Sequence, residues 1–158
     1  MNLRNFSCVI VKPDGYPYKE RIIYEIEKEL KLKIKVKNEN YVISRKRAEL
    51  WYIKYKDNPN FNEIVEAVCY KPMCKMFVEG ENALEKILER AGKLTDPKDS
   101  REKEPYSWRG RWGTKLPYNV VHRPVNEQEL VRDVRIHFSL KELENVLEDE
   151  VILYLFGI

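Results

Sequence analysis

The stretch Ser7-Cys8-Val9-Ile10-Val11, running into Lys12-Pro13-Asp14-Gly15, constrains the fold more than any other part of this chain. A short unbroken apolar run bounded by turn residues reads as a buried strand, and Pro-Asp-Gly closes it with a rigid turn. The turn fixes a lysine at the end of the strand. A surface lysine rarely requires such a holder, so Lys12 is a candidate for function.

The pattern downstream predicts what surrounds that strand. Ile22, Ile23, Ile26 and Leu30 recur at helical spacing, which predicts an amphipathic helix over 19–30 with Glu25, Glu27 and Glu29 on its solvated face. Leu32-Lys33-Ile34-Lys35-Val36 then alternates strictly, as a half-buried strand does, and continues through Tyr41-Val42-Ile43. Ser44 reads as the N-cap of a helix reaching Tyr55, broken by Asp57-Asn58-Pro59-Asn60, with a short helix over 61–68 after it. Met73 to Val78 predicts a third strand, 82–90 a helix stopped by Gly92, and 127–133 a short helix feeding a strand over 134–138. A last acidic helix is expected over 140–147. Between them, Lys93 to Tyr118 reads as a structureless loop, longer than compact domains tolerate unless it is functional. This order contains a β-α-β-β-α-β core. The expected fold is therefore α+β, a ferredoxin-like sandwich: a four-stranded antiparallel sheet covered by helices on one face, with a long active-site loop.

A length of 158 residues suits one domain spanning 1–158. The net charge of +3 permits anionic ligands such as nucleotides, while Lys-Glu interleaving along the helices argues against a nucleic-acid partner. Lys33, Lys35 and Lys37 alternate with apolar residues as on any half-exposed strand, and no aromatic RNA-binding motif accompanies them. Cys8, Cys69 and Cys74 lack C-x-x-C spacing and read as buried free thiols, which fits a reducing cytoplasm. The first six residues carry no signal-peptide core, and the apolar run 151–158 is too short to span a bilayer, so a soluble cytoplasmic protein without membrane contact is expected.

Asn119-Val120-Val121-His122 ends in one of only two histidines. It follows a basic, aromatic loop and precedes an Arg-Pro pair, a poor setting for a core residue and a plausible one for a nucleophile. A strand-end lysine and a loop histidine are parts of a phosphoryl-transfer site. His137 alternates with Arg135 on a predicted strand and reads as a solvated or edge residue. Tyr52 lies beside Trp51 and Tyr55 in a stripe that by itself reads as packing. Arg109, Arg111 and Arg123 are either a solvated loop or a phosphate clamp.

Several short motifs, in this order and spacing, resemble the nucleoside diphosphate kinase family over 7–138. They are Val11-Lys12-Pro13-Asp14-Gly15, Tyr52 with Lys56-Asp57-Asn58-Pro59, Glu79-Gly80, Thr95-Asp96-Pro97-Lys98-Asp99-Ser100, Arg109-Gly110 with Gly113, and Asn119-Val120-Val121-His122. The resemblance implies a ping-pong transfer of the γ-phosphate from a nucleoside triphosphate to a diphosphate through a phosphohistidine. It implies His122 as the nucleophile and Asp133 as the carboxylate that fixes the imidazole. Lys12 and Asn119 become ribose and phosphate contacts, Tyr52 a phosphate-side hydroxyl, and Thr95 and Arg109 phosphate binders. Mg2+ would arrive on the nucleotide, with no metal site in the protein itself, and assembly into hexamers or tetramers of dimers is expected.

The chain also departs from the family pattern. Arg123-Pro124-Val125 stands where Gly-Ser-Asp usually follows the histidine, and Asn60 stands where an aromatic stacks on the base. A family arginine aligns with Leu88 or Glu89, leaving Arg111 and Arg123 as candidates to replace it. The segment from Arg101 to Trp108 is longer than usual. These departures keep a second possibility in view, a nucleotide-binding relative with weak or no kinase activity.

Overall fold

The computed structural model describes residues 1–158. Four strands form one sheet in the order β2-β3-β1-β4, antiparallel throughout. They are β1 (Phe6–Val11), β2 (Lys33–Tyr41), β3 (Met73–Glu79) and β4 (Val121–His122). Every residue of β1 is buried, as its apolar run requires, and its side chains alternate between two cores. Phe6, Cys8 and Ile10 enter one core with Trp51, Phe77, Leu130 and Val134, whereas Val9 and Val11 enter another with Ile22, Ile26, Met76 and Trp108. Helices therefore cover both faces of the sheet, not the one face expected. The ferredoxin-like α+β arrangement itself is as the sequence predicts.

On the second face lie α1 (Lys19–Tyr24), continued by a π-helical turn over Glu25–Glu29, then α4 (Ala83–Ala91) and α6 (Trp108–Trp112). The wider turn is visible in the bond from Leu30 N to Glu25 O, 2.8 Å, five residues back. The first face carries α2 (Arg45–Trp51), α3 (Phe61–Glu66), α7 (Glu127–His137), α8 (Leu140–Leu143) and α9 (Asp149–Phe156). Ser44 caps α2 as predicted, its hydroxyl accepting from Arg47 N at 3.2 Å.

Further expectations are overturned. The strand predicted over 134–138 is the second half of α7, because Asn126 caps that helix through Glu129 N at 2.8 Å. Leu130, Asp133, Val134 and His137 then fall on one buried face, so helical burial overrides the local alternation of β-branched residues. The sheet takes β4 as its fourth strand instead. The supposed structureless loop holds α5 (Pro97–Lys103) and α6, each opened by a side-chain cap: Asp96 accepts from Lys98 N at 3.0 Å and Ser107 from Gly110 N at 3.0 Å. His137, expected at an edge, is 1% exposed and bonds Tyr41 Oη through Nδ1 at 2.8 Å.

Glu25 likewise is buried, not solvated. Arg111 grips it through two nitrogens at 2.9 and 2.6 Å, Arg90 at 2.7 Å, Arg21 at 2.9 Å and the Trp108 indole at 3.1 Å. Burial raises its pKa, and the hydrogen bonds from Arg111, Arg90 and Trp108 more than reverse this, holding it at about 2. Cys8, Cys69 and Cys74 are buried free thiols, as expected. No helix is long and apolar enough to cross a membrane.

Candidate active site

The end of β1 and the short β4 together position the site. Ile10 pairs with His122 and Val11 with Val121, so the sheet brings the histidine next to the strand that ends in Lys12. The chain enters β4 through a tight turn. Val121 N bonds Asn119 O at 2.9 Å, and the intervening Val120 has φ of +75°, the positive-φ form of the γ-turn. A β-branched residue there costs about 1–3 kcal/mol. Its neighbours hold it in place: Lys12 N donates to Val120 O at 2.9 Å, and Val120 N donates to the Asp14 carboxylate at 2.8 Å. Gly15 permits this approach, since a Cβ there would lie 2.3 Å from Val120 O. The Pro-Asp-Gly turn thus shapes the backbone before His122 as well as fixing Lys12.

His122 Nε2 lies 2.8 Å from Asp133 Oδ2. Asp133 reaches it because helical spacing puts it on the same inward face as Leu130 and Val134, with its side chain 2% exposed. An ionised carboxylate only accepts, so this bond places the ring proton on Nε2 and leaves Nδ1 with its lone pair. Nδ1 has no partner in the protein, and the His122 side chain keeps 20% of its surface exposed. Trp51 stands edge-on to both histidine rings, its centroid 5.3 Å from His122 and 4.3 Å from His137. Arg132 fixes that indole by donating to Leu50 O and Trp51 O at the end of α2, where carbonyls lack partners.

Lys12, Tyr52, Thr95, Arg109, Asn119, His122 and Asp133 all line one cleft of 510 Å³. The sequence places them far apart; the fold brings all seven together. Asn119 joins two of them, its oxygen accepting from Lys12 Nζ at 2.9 Å and its nitrogen donating to Thr95 O at 3.1 Å. Burial lowers the Lys12 pKa to about 8 despite Asp14 nearby. Burial raises the Tyr52 phenol, whose ring stacks on Trp51 at 4.6 Å. Arg109 is 3% exposed and donates to Leu94 O at 3.0 Å and Val121 O at 2.9 Å. Burial, with Arg123 beside it, presses its pKa down, yet a guanidinium stays charged in proteins.

The departures from the family pattern separate in the structure. Leu88, Glu89 and Arg90 do not line the cleft, and Arg111 is committed to Glu25 on the other face of the sheet. Arg123 does line it. Trp108 is buried against Glu25, and the exposed Tyr106 lies outside the cleft, so neither aromatic of the longer segment is available to a base. Asn60 lines it with Ile53, Tyr55, Ile64, Leu116 and Val125. Of the two arginines that the sequence leaves as candidates, Arg123 is the one at the cleft, whereas the sequence motifs assign Trp51 no place there. The helical signal that would have placed Trp51 inward is its spacing from Ala48, its fellow buried residue on α2.

No group of three or more His, Cys, Asp or Glu side chains is placed to hold a metal ion. Of the carboxylates at the cleft, Asp133 is engaged by His122.

The family model described as nucleoside diphosphate kinase matches residues 5–143. The chain is 30% identical to the nucleoside diphosphate kinase of Pyrococcus furiosus over 148 residues, covering 90% of this chain and 88% of the relative. It is 32% identical to that of Rubrobacter xylanophilus, over 84% of this chain and 97% of the relative. Among solved structures, the nucleoside diphosphate kinase of Aquifex aeolicus superposes with a TM-score of 0.76 at 25% identity, covering 87% of this chain and 97% of that one. The halophilic enzyme of Halobacterium salinarum, in complex with CDP, gives 0.73 at 26% identity, covering 95% and 97%. A family model spanning most of the chain, relatives matched over nearly their full length and close superposition on a solved structure agree, and this chain belongs to the nucleoside diphosphate kinase family.

Proposed function

We propose that this nucleoside diphosphate kinase works through a phosphohistidine at His122. The observation that carries the proposal is the His122–Asp133 bond at 2.8 Å, which leaves Nδ1 as the free nucleophilic nitrogen in a cleft rich in cations. In the first half-reaction the Nδ1 lone pair attacks the γ-phosphorus, the bond to the β–γ bridging oxygen breaks, and the diphosphate leaves with that electron pair. The phosphorylated ring keeps its Nε2 proton and gains positive charge, which the Asp133 carboxylate stabilises. The second half-reaction reverses these steps on another diphosphate, whose terminal oxygen takes the phosphoryl group.

Lys12, Arg109, Tyr52, Thr95 and Asn119 bind and orient the nucleotide, so the protein contributes mainly positioning and charge. Thr95 is exposed at the rim with its hydroxyl free to donate. Mg2+ belongs to this reading as a companion of the substrate: it would arrive on the nucleotide and supply charge neutralisation to the phosphates that Lys12 and Arg109 hold, and it would ask for no cage of protein carboxylates. Cytoplasmic residence is supported by the three free thiols, and homo-oligomerisation by β2, which is an edge strand of the sheet.

Incubation with γ-labelled ATP tests the mechanism. The wild-type chain should retain an acid-labile, base-stable label, His122→Ala should lose it, and His137→Ala should keep it even though a buried residue is removed. A label surviving in His122→Ala would refute the assignment.

A further inference from the structure

Three cations are buried in the cleft, and every hydrogen-bond acceptor they have is neutral. Lys12 donates to Pro117 O and Asn119 Oδ1. Arg109 donates to the carbonyls of Gly92, Leu94 and Val121. Arg123, 5% exposed, donates to Gly92 O through Nε at 3.2 Å and Nη2 at 2.7 Å, and to Lys93 O at 3.2 Å. On the opposite face, Arg111 and Arg90 are matched by the Glu25 carboxylate. No carboxylate near the cleft guanidiniums is hydrogen-bonded to either of them. Glu104 accepts from Lys93 N, Leu94 N and Ser100 Oγ, one oxygen of Asp14 from Val120 N, and Asp133 from His122, while Glu129 lines the cleft and acts on Arg123 through space without a hydrogen bond to it.

A desolvated cation without a counter-ion is costly, and two side by side repel one another. Arg109 and Arg123 share the Gly92 carbonyl, so the fold holds two guanidiniums together with no anion between them. Both keep donors in reserve. Arg109 Nε is buried without a partner. Arg123 Nη1 makes no hydrogen bond within the protein and is not sealed from the cleft that Arg123 lines. Arg123 directly follows β4, and its Nη2 meets the same Gly92 carbonyl that Arg109 Nη1 reaches.

We infer that Arg123 is a second guanidinium of the phosphate site, binding the terminal phosphates of the nucleotide together with Arg109. The inference rests on the cleft being the nucleotide site. It assigns to Arg123 the role that neither Leu88 nor Glu89 can fill, and excludes Arg111 from it. A planar fork beside a second fork suits a phosphate chain, whose oxygens accept in pairs.

Calorimetric titration of the intact protein with ADP, AMP and adenosine tests it. The wild-type chain should prefer ADP to AMP. Arg123→Gln keeps a donor for the Gly92 carbonyl but loses the charge, so ADP affinity should fall roughly tenfold or more, as for a lost charge-assisted bond, while AMP affinity changes less than about twofold. Unchanged ADP affinity, or equal losses for ADP and AMP, would overturn the role and leave Arg123 a brace for the Gly92–Lys93 backbone. Should Arg123→Gln not fold, Arg123→Lys carries the test, since it keeps the charge and loses the fork. It should then reduce the ADP preference about threefold, and an unchanged preference overturns the inference. A wild-type chain with no ADP preference would instead defeat the nucleotide-site reading itself, a result separable from failure at Arg123 alone.

Discussion

Replacing Glu25 by glutamine removes the negative charge that Arg21, Arg90 and Arg111 share, leaving Glu29 to pair with Arg21 and Arg90 alone, and its cost follows from the carboxylate's own titration. The folded-state pKa is about 2 against an ordinary 4.5, a depression of roughly 2.5 units at about 1.4 kcal/mol each. The arginine side chains are 52%, 23% and 29% exposed, so solvent screens part of this and about 2–3 kcal/mol remains. A depressed carboxylate pKa contributes stability that is complete above 4.5 and lost as the pH falls toward 2. Glu25→Gln should therefore unfold about 5–10 °C lower at pH 7, with the gap closing between pH 4.5 and pH 2. Thermal melts at several pH values and one fixed protein concentration measure this. Equal stabilities at pH 7, or a difference that persists unchanged at pH 3, would refute the argument that charge pairing at Glu25 holds α1, α4 and α6 together.

Two further predictions concern the cleft. The free protein's Lys12 loses its proton as the pH rises through about 8, so nucleotide affinity should weaken above that value by up to about tenfold per pH unit. Lys12→Met should abolish that limb, and a profile unaltered by it assigns the titration to another group. Asp133→Asn keeps the size of the side chain but removes the charge that stabilises the imidazolium. It should slow phosphorylation of His122 by about 10²-fold or more, with ADP affinity within about twofold, measured by single-turnover quench and calorimetry. An unchanged phosphorylation rate would remove Asp133 from the mechanism.

The sequence disclosed the strands of the central sheet wherever burial followed a local period. β1 is an unbroken apolar run and β2 a strict alternation, and both lie where that predicts. It misled at 134–138, where the alternation of Val134, Ile136 and Phe138 is also compatible with a helix whose cap lies several residues upstream at Asn126. The segment 93–118 concealed two helices because their signals are single caps, Asp96 with Pro97 and Ser107, and their buried sides face arginines and carboxylates more than aliphatic residues. Charged residues inside a protein have no hydrophobic period to betray them. Glu25, Arg109 and Arg123 look like surface residues until their partners, which come from other elements, are in place. The motifs naming the cleft residues were legible because each is local, whereas the unmatched charge at Arg123 appears only when the distant Gly92–Lys93 carbonyls are folded against it.

The rung that joins Ile10 to His122 frees the rest of the chain to change length. The histidine's place is inherited from the register of the first strand and from the Asp14 carboxylate on Val120 N, not from the segment that leads up to it. Lengthening that segment adds only a slowly growing closure entropy, roughly 0.6 kcal/mol for each doubling. Residues 101–108 could therefore be enlarged during divergence without displacing the nucleophile, and a designed insertion at the exposed tip near Tyr106 has the same freedom. The same rung sets the order in which the site can assemble along the polypeptide: a nascent chain that has not yet emitted β4 holds its first strand and its lysine, and has no imidazole beside them.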